Sequence, residues 1–123
     1  MSIPERSQLQ PVGVTLSEVL RQAPRLSAVR RSELTVGDVM VVRTRNSLYM
    51  LRADAHGYYH ATGGWFDRKG LSPHRIAING CTWGGAIIKL DVLAACGLCV
   101  EFSNRVVTSP VRAIVVLRAA TFN

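Results

Sequence analysis

The chain has 123 residues, of which 48% are hydrophobic and 19% charged, and its net charge is +7. This length fits a single domain, and the low charged fraction excludes extensive disorder. No window reaches the roughly 18 consecutive apolar residues of a membrane-spanning helix, and no run of basic residues indicates a dedicated nucleic-acid-binding tail.

Residues 1–35 are predicted to form an N-terminal arm that contains a short helix. Residues 1–13 carry two prolines, a glycine and several polar residues, which predicts a flexible arm. Thr15 and Glu18 have the spacing of a capping box, and the helix that follows is expected over Leu16–Ala23, before a proline. The first residues lack the apolar segment of a secretory signal, so we expect a cytoplasmic location.

Residues 36–123 are predicted to form a small β domain. Segments rich in β-branched residues alternate with turn residues at intervals of roughly 8–12 residues, which is typical of an all-β fold. Hairpins are expected at Arg45–Ser47, Asn79–Gly80 and Ser103–Arg105, and a further turn at Asp54–Gly57. The predicted fold class is mostly β: a small antiparallel β-barrel or sandwich of six to seven short strands.

The segment from His74 to Phe102 is the most apolar part of the chain, and we expect it to supply a tightly packed β core. Within this segment, Ala86–Cys96 permits either a helix or a strand. Its paired alanines favour a helix, whereas its isoleucines and valine favour a strand. We favour a strand over residues 86–90.

Two predicted strands carry apolar residues on both faces. In Val39–Arg45 and Val111–Arg118, both sets of alternate positions are apolar over part of the strand. The outer face of a lone small barrel meets water and should be polar. We therefore expect part of this outer face to be buried against copies of the chain or against the N-terminal helix. So short a chain also has little core volume for its apolar content, which favours a homo-oligomer or a place in a larger complex.

The cysteines offer a weak indication of chemistry. Cys96 and Cys99 have the C-x-x-C spacing of thiol oxidoreductases and zinc sites, but a zinc site needs about four ligands. Cys81 follows a predicted tight turn, and together with His74 it has the residue types of a Cys–His nucleophile. For all three thiols we favour packing as small hydrophobic groups.

The histidines and carboxylates give no stronger indication of catalysis or of a metal site. His56 and His60 have the H-x-x-x-H spacing of half a metal site, but the glycine and tyrosines between them favour a turn and an exposed hairpin. The carboxylates form no close pair suited to acid–base catalysis. The sequence therefore predicts no catalytic residue, no metal site and no cofactor, and it favours a protein that is not an enzyme.

Arginine and aromatic residues interleave in the first half of the β domain. Guanidinium groups contact phosphates and aromatic rings stack on bases, so such a set predicts a surface for single-stranded nucleic acid. The alternative is a solvated basic rim with the rings packed in the core. The predicted nucleic-acid-binding residues are Arg43, Arg45, Arg52, Tyr49, Tyr58, Tyr59, Trp65, Arg68 and Lys69.

Three functions remain open from the sequence. The one that we favour is a non-enzymatic assembly module that self-associates or serves as an accessory subunit. The second is a nucleic-acid-binding small β-barrel that uses the arginine and aromatic surface. The third is a thiol-based redox or metal-binding protein that acts through Cys96 and Cys99.

Overall fold

The computed structural model describes residues 16–83 and 87–119, so the flexible arm predicted over residues 1–13 lies outside the described residues. Within the described ranges the chain forms short helices, a 3₁₀ turn at Arg31–Glu33 and many short strands. The helices are α1 (Leu16–Gln22) and α2 (Gly64–Arg68), and the strands are β1 (Ala28–Arg30), β2 (Val39–Thr44), β3 (Leu48–Ala53), β4 (Tyr59–Gly63), β5 (His74–Ile76), β6 (Ile78–Trp83), β7 (Ile87–Lys89), β8 (Val92–Ala95), β9 (Cys99–Phe102) and β10 (Val111–Leu117).

The strands are arranged in three antiparallel sheets. The largest has the order β10-β2-β3-β4-β5, the second has the order β7-β6-β9, and the third pairs β1 with β8. The prediction of a mostly β, antiparallel fold is confirmed. Within the described ranges, however, the sheets do not close into a barrel. Only Ala77 separates β5 from β6, so the chain passes there from one sheet into another instead of extending a single ladder.

Two of the predicted turns join neighbouring strands of the large sheet. Arg45–Ser47 connects β2 to β3, and Asp54–Gly57 lies between β3 and β4. In the second turn the Asp54 carboxylate accepts hydrogen bonds from the amides of His56 and Tyr58, at 2.8 and 3.1 Å. An aspartate at the start of a turn commonly satisfies backbone amides in this way.

The main core lies between the large sheet and the two smaller ones. It draws Met40 and Leu51 from the large sheet, and Leu93 and Phe102 from β8 and β9. Phe66 of α2 is fully buried and stands edge-on to the Phe102 ring, with centroids 5.0 Å apart. Complete burial of each large apolar side chain stabilises the fold by about 1.5–3 kcal/mol, so this cluster holds the three sheets together.

A second apolar cluster lies on the opposite, outer face of the large sheet. Alternation along β2 and β10 places one set of residues in the main core and the other set on this outer face. Leu20 and Ala23, from α1 and the residue after it, pack against this outer face. The sheet residues of this cluster are Val39, Val41, Met50, Val115 and Leu117.

The hairpin predicted at Asn79–Gly80 is wrong, because both residues lie inside β6. The pairing of β6 with β9 shifts register between Ile78 and Gly80, and Gly80 has a φ of 148°. A Cβ at Gly80 would lie 2.4 Å from the carbonyl oxygen of Lys89 on β7. The glycine therefore permits a bulge and a close approach of two backbones, not a turn.

The ambiguous segment Ala86–Cys96 forms strands and no helix over its described residues. β7 and β8 occupy most of it, with a tight turn at Leu90 and Asp91 between them. The strand alternative that we favoured is confirmed, although Ala86 lies outside the described residues. β8 pairs with β1, which carries the buried Val29 into the main core.

Candidate interaction surfaces

The antiparallel strand pair β6–β7 carries an exposed apolar patch at an open sheet edge. Trp83, Ile87, Ile88 and Leu90 are 67%, 63%, 39% and 67% exposed, and we call these four residues the β7 edge patch. Within the described residues β7 pairs only with β6, so its other backbone edge has no strand partner there. The sequence predicts that this part of the chain is core, and for these four residues that prediction is wrong. Ile87 and Ile88 lie on an edge strand, whereas Trp83 is the last residue of β6 and Leu90 lies in the turn after β7.

The β7 edge is only partly protected against pairing with another chain. Natural edge strands are protected by short length, charged side chains (lysine above all), a proline, a bulge or a covering loop. β7 is three residues long and contains Lys89, but its other two residues are isoleucines and its pairing with β6 has no bulge. Large apolar side chains grouped on an exposed surface are a common feature of sites that bind another protein, a ligand or a membrane.

A groove beside α1 forms a second candidate surface. Its floor is the apolar outer face of β2, β3 and β10, and its volume is about 220 Å³. We call it the outer groove, and its lining residues are Leu20, Arg25, Val41, Arg43, Leu48, Ala113 and Val115. Arg25 and Arg43 are exposed, and neither side chain forms a hydrogen bond or ion pair within residues 16–83 and 87–119.

The rings of the predicted nucleic-acid-binding set do not form one stacking surface. Tyr49 and Tyr59 are 3% and 4% exposed and belong to the main core. Trp65 is half-buried against Phe66, with ring centroids 5.3 Å apart. Tyr58 is exposed, but the guanidinium of Arg75 covers its ring at 4.1 Å from the centroid. The alternative interpretation, rings packed in the core, holds for the two buried tyrosines.

The basic members of that set separate into two groups along the large sheet. Arg43, Arg45 and Arg68 lie near the turn between β2 and β3, where Arg68 donates a 3.1 Å hydrogen bond to Ser47 Oγ. Lys69 follows Arg68 at the end of α2. Arg52 lies near the other end of β3, beside His60 and Arg75 in the cross-strand register. The structure therefore assembles part of the predicted set at one end of the sheet and leaves Arg52 at the other.

Strand parity could have revealed that the tyrosines and arginines face opposite ways. Tyr49 shares its face of β3 with Leu51, whereas Arg52 shares the opposite face with Leu48 and Met50. The same alternation buries Tyr59 in β4 and leaves His60 on the outer face. The tyrosines and arginines of the predicted set are close together in the sequence, but the alternation of the strands places them on opposite faces of the sheet.

A cluster of polar groups around Asp54, which no pattern in the sequence predicts, connects β4 and β5 to the turn after β3. Arg75 donates from Nε to Asp54 Oδ2 at 2.8 Å, and His60 Nε2 lies 3.5 Å from the same oxygen. The hydrogen bond from Arg75, followed by those from the turn amides, lowers the pKa of Asp54 well below its usual value. The arrangement links β5 to the turn between β3 and β4, so its role is to fix the edge of the sheet.

The three thiols differ in environment and form no disulfide. Cys81 is fully buried, and burial raises the pKa of its thiol to about 11. The thiolate is the nucleophilic form, so this residue is poorly suited to nucleophilic chemistry. Cys96 lies in the exposed turn before β9, with its sulfur 3.7 Å from two carbonyl oxygens, and Cys99 is half-buried at the start of β9. Packing as a hydrophobic group therefore describes Cys81 but not Cys96.

The histidines do not converge on a metal site. His74 stacks against the buried ring of Phe66, with centroids 5.8 Å apart, and His56 is exposed in its turn. No group of three or more histidine, cysteine or acidic side chains with a geometry suited to a metal ion occurs in the described part of the chain.

Comparison with family models, with curated proteins and with solved structures found no match to this chain. Within residues 16–83 and 87–119, no helix has the length and apolar character needed to cross a bilayer. The β7 edge patch and the outer groove are therefore the features from which we infer a function.

Proposed function

We propose that this protein is a non-enzymatic assembly module whose copies associate through the β7 edge patch. The observation that supports this proposal is the coincidence of four exposed apolar side chains with an open strand edge. An edge strand offers unpaired backbone donors and acceptors, and the exposed side chains add apolar area that water disfavours. Both contributions favour the addition of another strand.

A second copy of the chain satisfies this edge with a simple twofold arrangement. When two β7 strands pair antiparallel about an axis through Ile88, each Ile88 faces its counterpart. Ile87 of one copy then faces Lys89 of the other, whose methylene groups cover apolar surface while its ammonium stays in water. Such a pairing joins two three-stranded sheets into one sheet of six strands.

Salt distinguishes this association from one driven by charge. Each copy carries a net charge of +7, so two copies repel each other at low ionic strength. Added salt screens that repulsion and strengthens the burial of apolar surface. We therefore expect the oligomer to persist or become tighter as the salt concentration rises.

Size-exclusion chromatography with light scattering, on nuclease-treated protein at low and high salt, tests the proposal. We expect a salt-resistant oligomer for the wild type and a monomer for Ile87→Lys with Leu90→Lys, because both side chains are exposed and their replacement leaves the core intact. Val36→Lys with Leu71→Lys is the matched control, since it adds the same charge at side chains that are 61% and 41% exposed outside the patch. A monomeric wild type, or equal dissociation of the control, would overturn the proposal.

Nucleic-acid binding is the second candidate function. Arg43, Arg45 and Arg52 are exposed, and none of their side chains forms an ion pair with an acidic residue of the described ranges. Because Tyr49 and Tyr59 are buried, these arginines would contact phosphates without base stacking from those rings. Retention of labelled oligothymidine should then fall steeply with salt and be lost in Arg43→Glu with Arg45→Glu. Unchanged retention in that variant would exclude this candidate.

A further inference from the structure

We infer that the outer groove is a docking site for an acidic segment of another protein that inserts an apolar side chain between carboxylates. The groove lies on the outer face of the large sheet, whereas the β7 edge patch belongs to a different sheet. The inference is therefore independent of self-association. It rests on the lining of the groove, on the charge of its rim and on the partners that the chain's own acidic residues already have.

The lining of the groove suits an apolar side chain. Val41, Val115 and Ala113 come from adjacent strands, and Leu20 of α1 forms one wall. Leu48, which is 45% exposed, leaves apolar surface open to solvent. The volume of about 220 Å³ is below the roughly 300–1,000 Å³ of small-molecule pockets. A single anchoring side chain of a peptide therefore fits the groove better than a free metabolite does.

The rim of the groove is positively charged. Arg25 and Arg43 border it, and their guanidinium groups have no partner among the described residues. Arg112 is exposed in the bulge of β10, next to Ala113, which pairs with Arg43. Arginine forms bidentate hydrogen bonds with carboxylates, so an apolar groove between arginines is complementary to an apolar side chain flanked by Asp or Glu.

A second copy of this chain is not suited to occupy the groove. Every acidic side chain of the described ranges already has a partner within its own chain, and each copy carries a net charge of +7, so a second copy offers a basic rim little negative charge and repels it. These acidic residues are Glu18, Glu33, Asp38, Asp54, Asp67, Asp91 and Glu101. The occupant that the charges favour is therefore a different, acidic protein.

Nucleic acid fits the groove less well than an acidic peptide does. Its phosphates would contact the arginines, but its bases would meet Val41, Leu48 and Val115, not aromatic rings. Base stacking on aromatic side chains supplies much of the affinity of single-stranded nucleic-acid sites. The aliphatic floor therefore favours a polypeptide side chain over a base.

Fluorescence anisotropy with synthetic peptides tests the inference. The probe is a short labelled peptide in which Glu and Leu alternate, and the control peptides replace Leu by Ser or Glu by Lys. We expect Arg25→Glu with Arg43→Glu to weaken probe binding by about tenfold or more. Lys69→Glu with Arg105→Glu changes the net charge equally, at two exposed residues that do not line the groove, and should leave the binding nearly unchanged.

An uncharged pair of variants tests the apolar half of the site. Leu48→Ser removes an exposed groove side chain and should weaken probe binding, whereas Leu71→Ser removes an equally exposed leucine outside the groove and should have no effect. Circular dichroism confirms that each variant is folded. The inference is overturned if the probe does not bind, if the Ser peptide binds equally well, or if both charge variants lose binding alike. Displacement of the probe by oligothymidine would also overturn it, in favour of nucleic acid.

Discussion

Arg118 NH1 donates a hydrogen bond to Asp38 Oδ2 at 2.9 Å, which ties the residue after β10 to the residue before β2. The Asp38 side chain is 2% exposed and also accepts from the amides of Thr35 and Ala119, each at 2.9 Å. Burial on its own would raise the pKa of Asp38, but the hydrogen bonds from Thr35, Ala119 and Arg118 outweigh it and lower that pKa. This carboxylate therefore fixes one end of the large sheet.

Replacement of Asp38 by alanine should reduce the free energy of unfolding by about 1–3 kcal/mol, because the amides of Thr35 and Ala119 and the guanidinium of Arg118 lose the buried carboxylate that accepts their hydrogen bonds. Urea denaturation measures this change. Asp91→Ala is the control, since its ion pair with Arg30 is exposed on both sides and should contribute less than about 1 kcal/mol. Equal destabilisation by the two variants would contradict the importance of the buried carboxylate.

Stability should depend on pH through Asp54. Its pKa is lowered in the folded state, so the ionised form stabilises the fold fully above the unfolded pKa of about 3.9. That stabilisation is lost as the pH falls below about 4 towards the folded pKa. Asp54→Asn should flatten the dependence of unfolding free energy on pH in this window. If the slope of unfolding free energy against pH is the same in the variant, the hydrogen bond from Arg75 does not lower the pKa of Asp54 in the folded protein.

Gly80→Ala should destabilise the protein by about 3 kcal/mol or more, because a Cβ would collide with the Lys89 carbonyl as well as strain the backbone. Gly57→Ala isolates the backbone contribution. Gly57 has a φ of 82° and no atom within 4 Å of an added Cβ, so its replacement should cost about 1–2 kcal/mol. Chemical denaturation of both variants compares the two costs, and the larger loss is expected at Gly80.

Alkylation of the native protein should modify the thiols in the order Cys96, Cys99, Cys81. Cys96 is exposed, Cys99 is half-buried, and Cys81 is fully buried with the pKa of its thiol raised to about 11. Mass spectrometry after timed iodoacetamide treatment gives the order, and denaturant should make all three react. Rapid modification of Cys81 in the native state would show that β6 opens readily.

The sequence predicted those features that depend on local pattern. The alternation of β3 and the turn residues before and after it specify hairpins without reference to the rest of the chain. Gly80 could not be assigned in this way, because its conformation serves a contact with Lys89 nine residues later. The exposure of Ile87 could not be predicted either, because an apolar strand in the middle of a sheet and one at its edge have the same composition.

The sequence predicts one part of the outer groove and not the other. The apolar positions on the outer face of β2 and β10 appear in the sequence as imperfect alternation, and Arg43 belongs to the predicted nucleic-acid-binding set. Arg25 is not in that set, because it lies outside the β domain in sequence and borders the same groove as Arg43 only after α1 packs on the sheet. No local pattern specifies that packing.

The order of strands in the large sheet has a consequence for protein synthesis. β2 lies between β3 and β10, and its residues Val39–Thr44 leave the ribosome long before the partner strand Val111–Leu117 has been translated. Until then the nascent chain holds an apolar sheet edge that no native strand covers, a state prone to intermolecular pairing. A translational pause ahead of β10 would prolong this exposure, and chaperones that shield apolar strands would act on this chain during that interval.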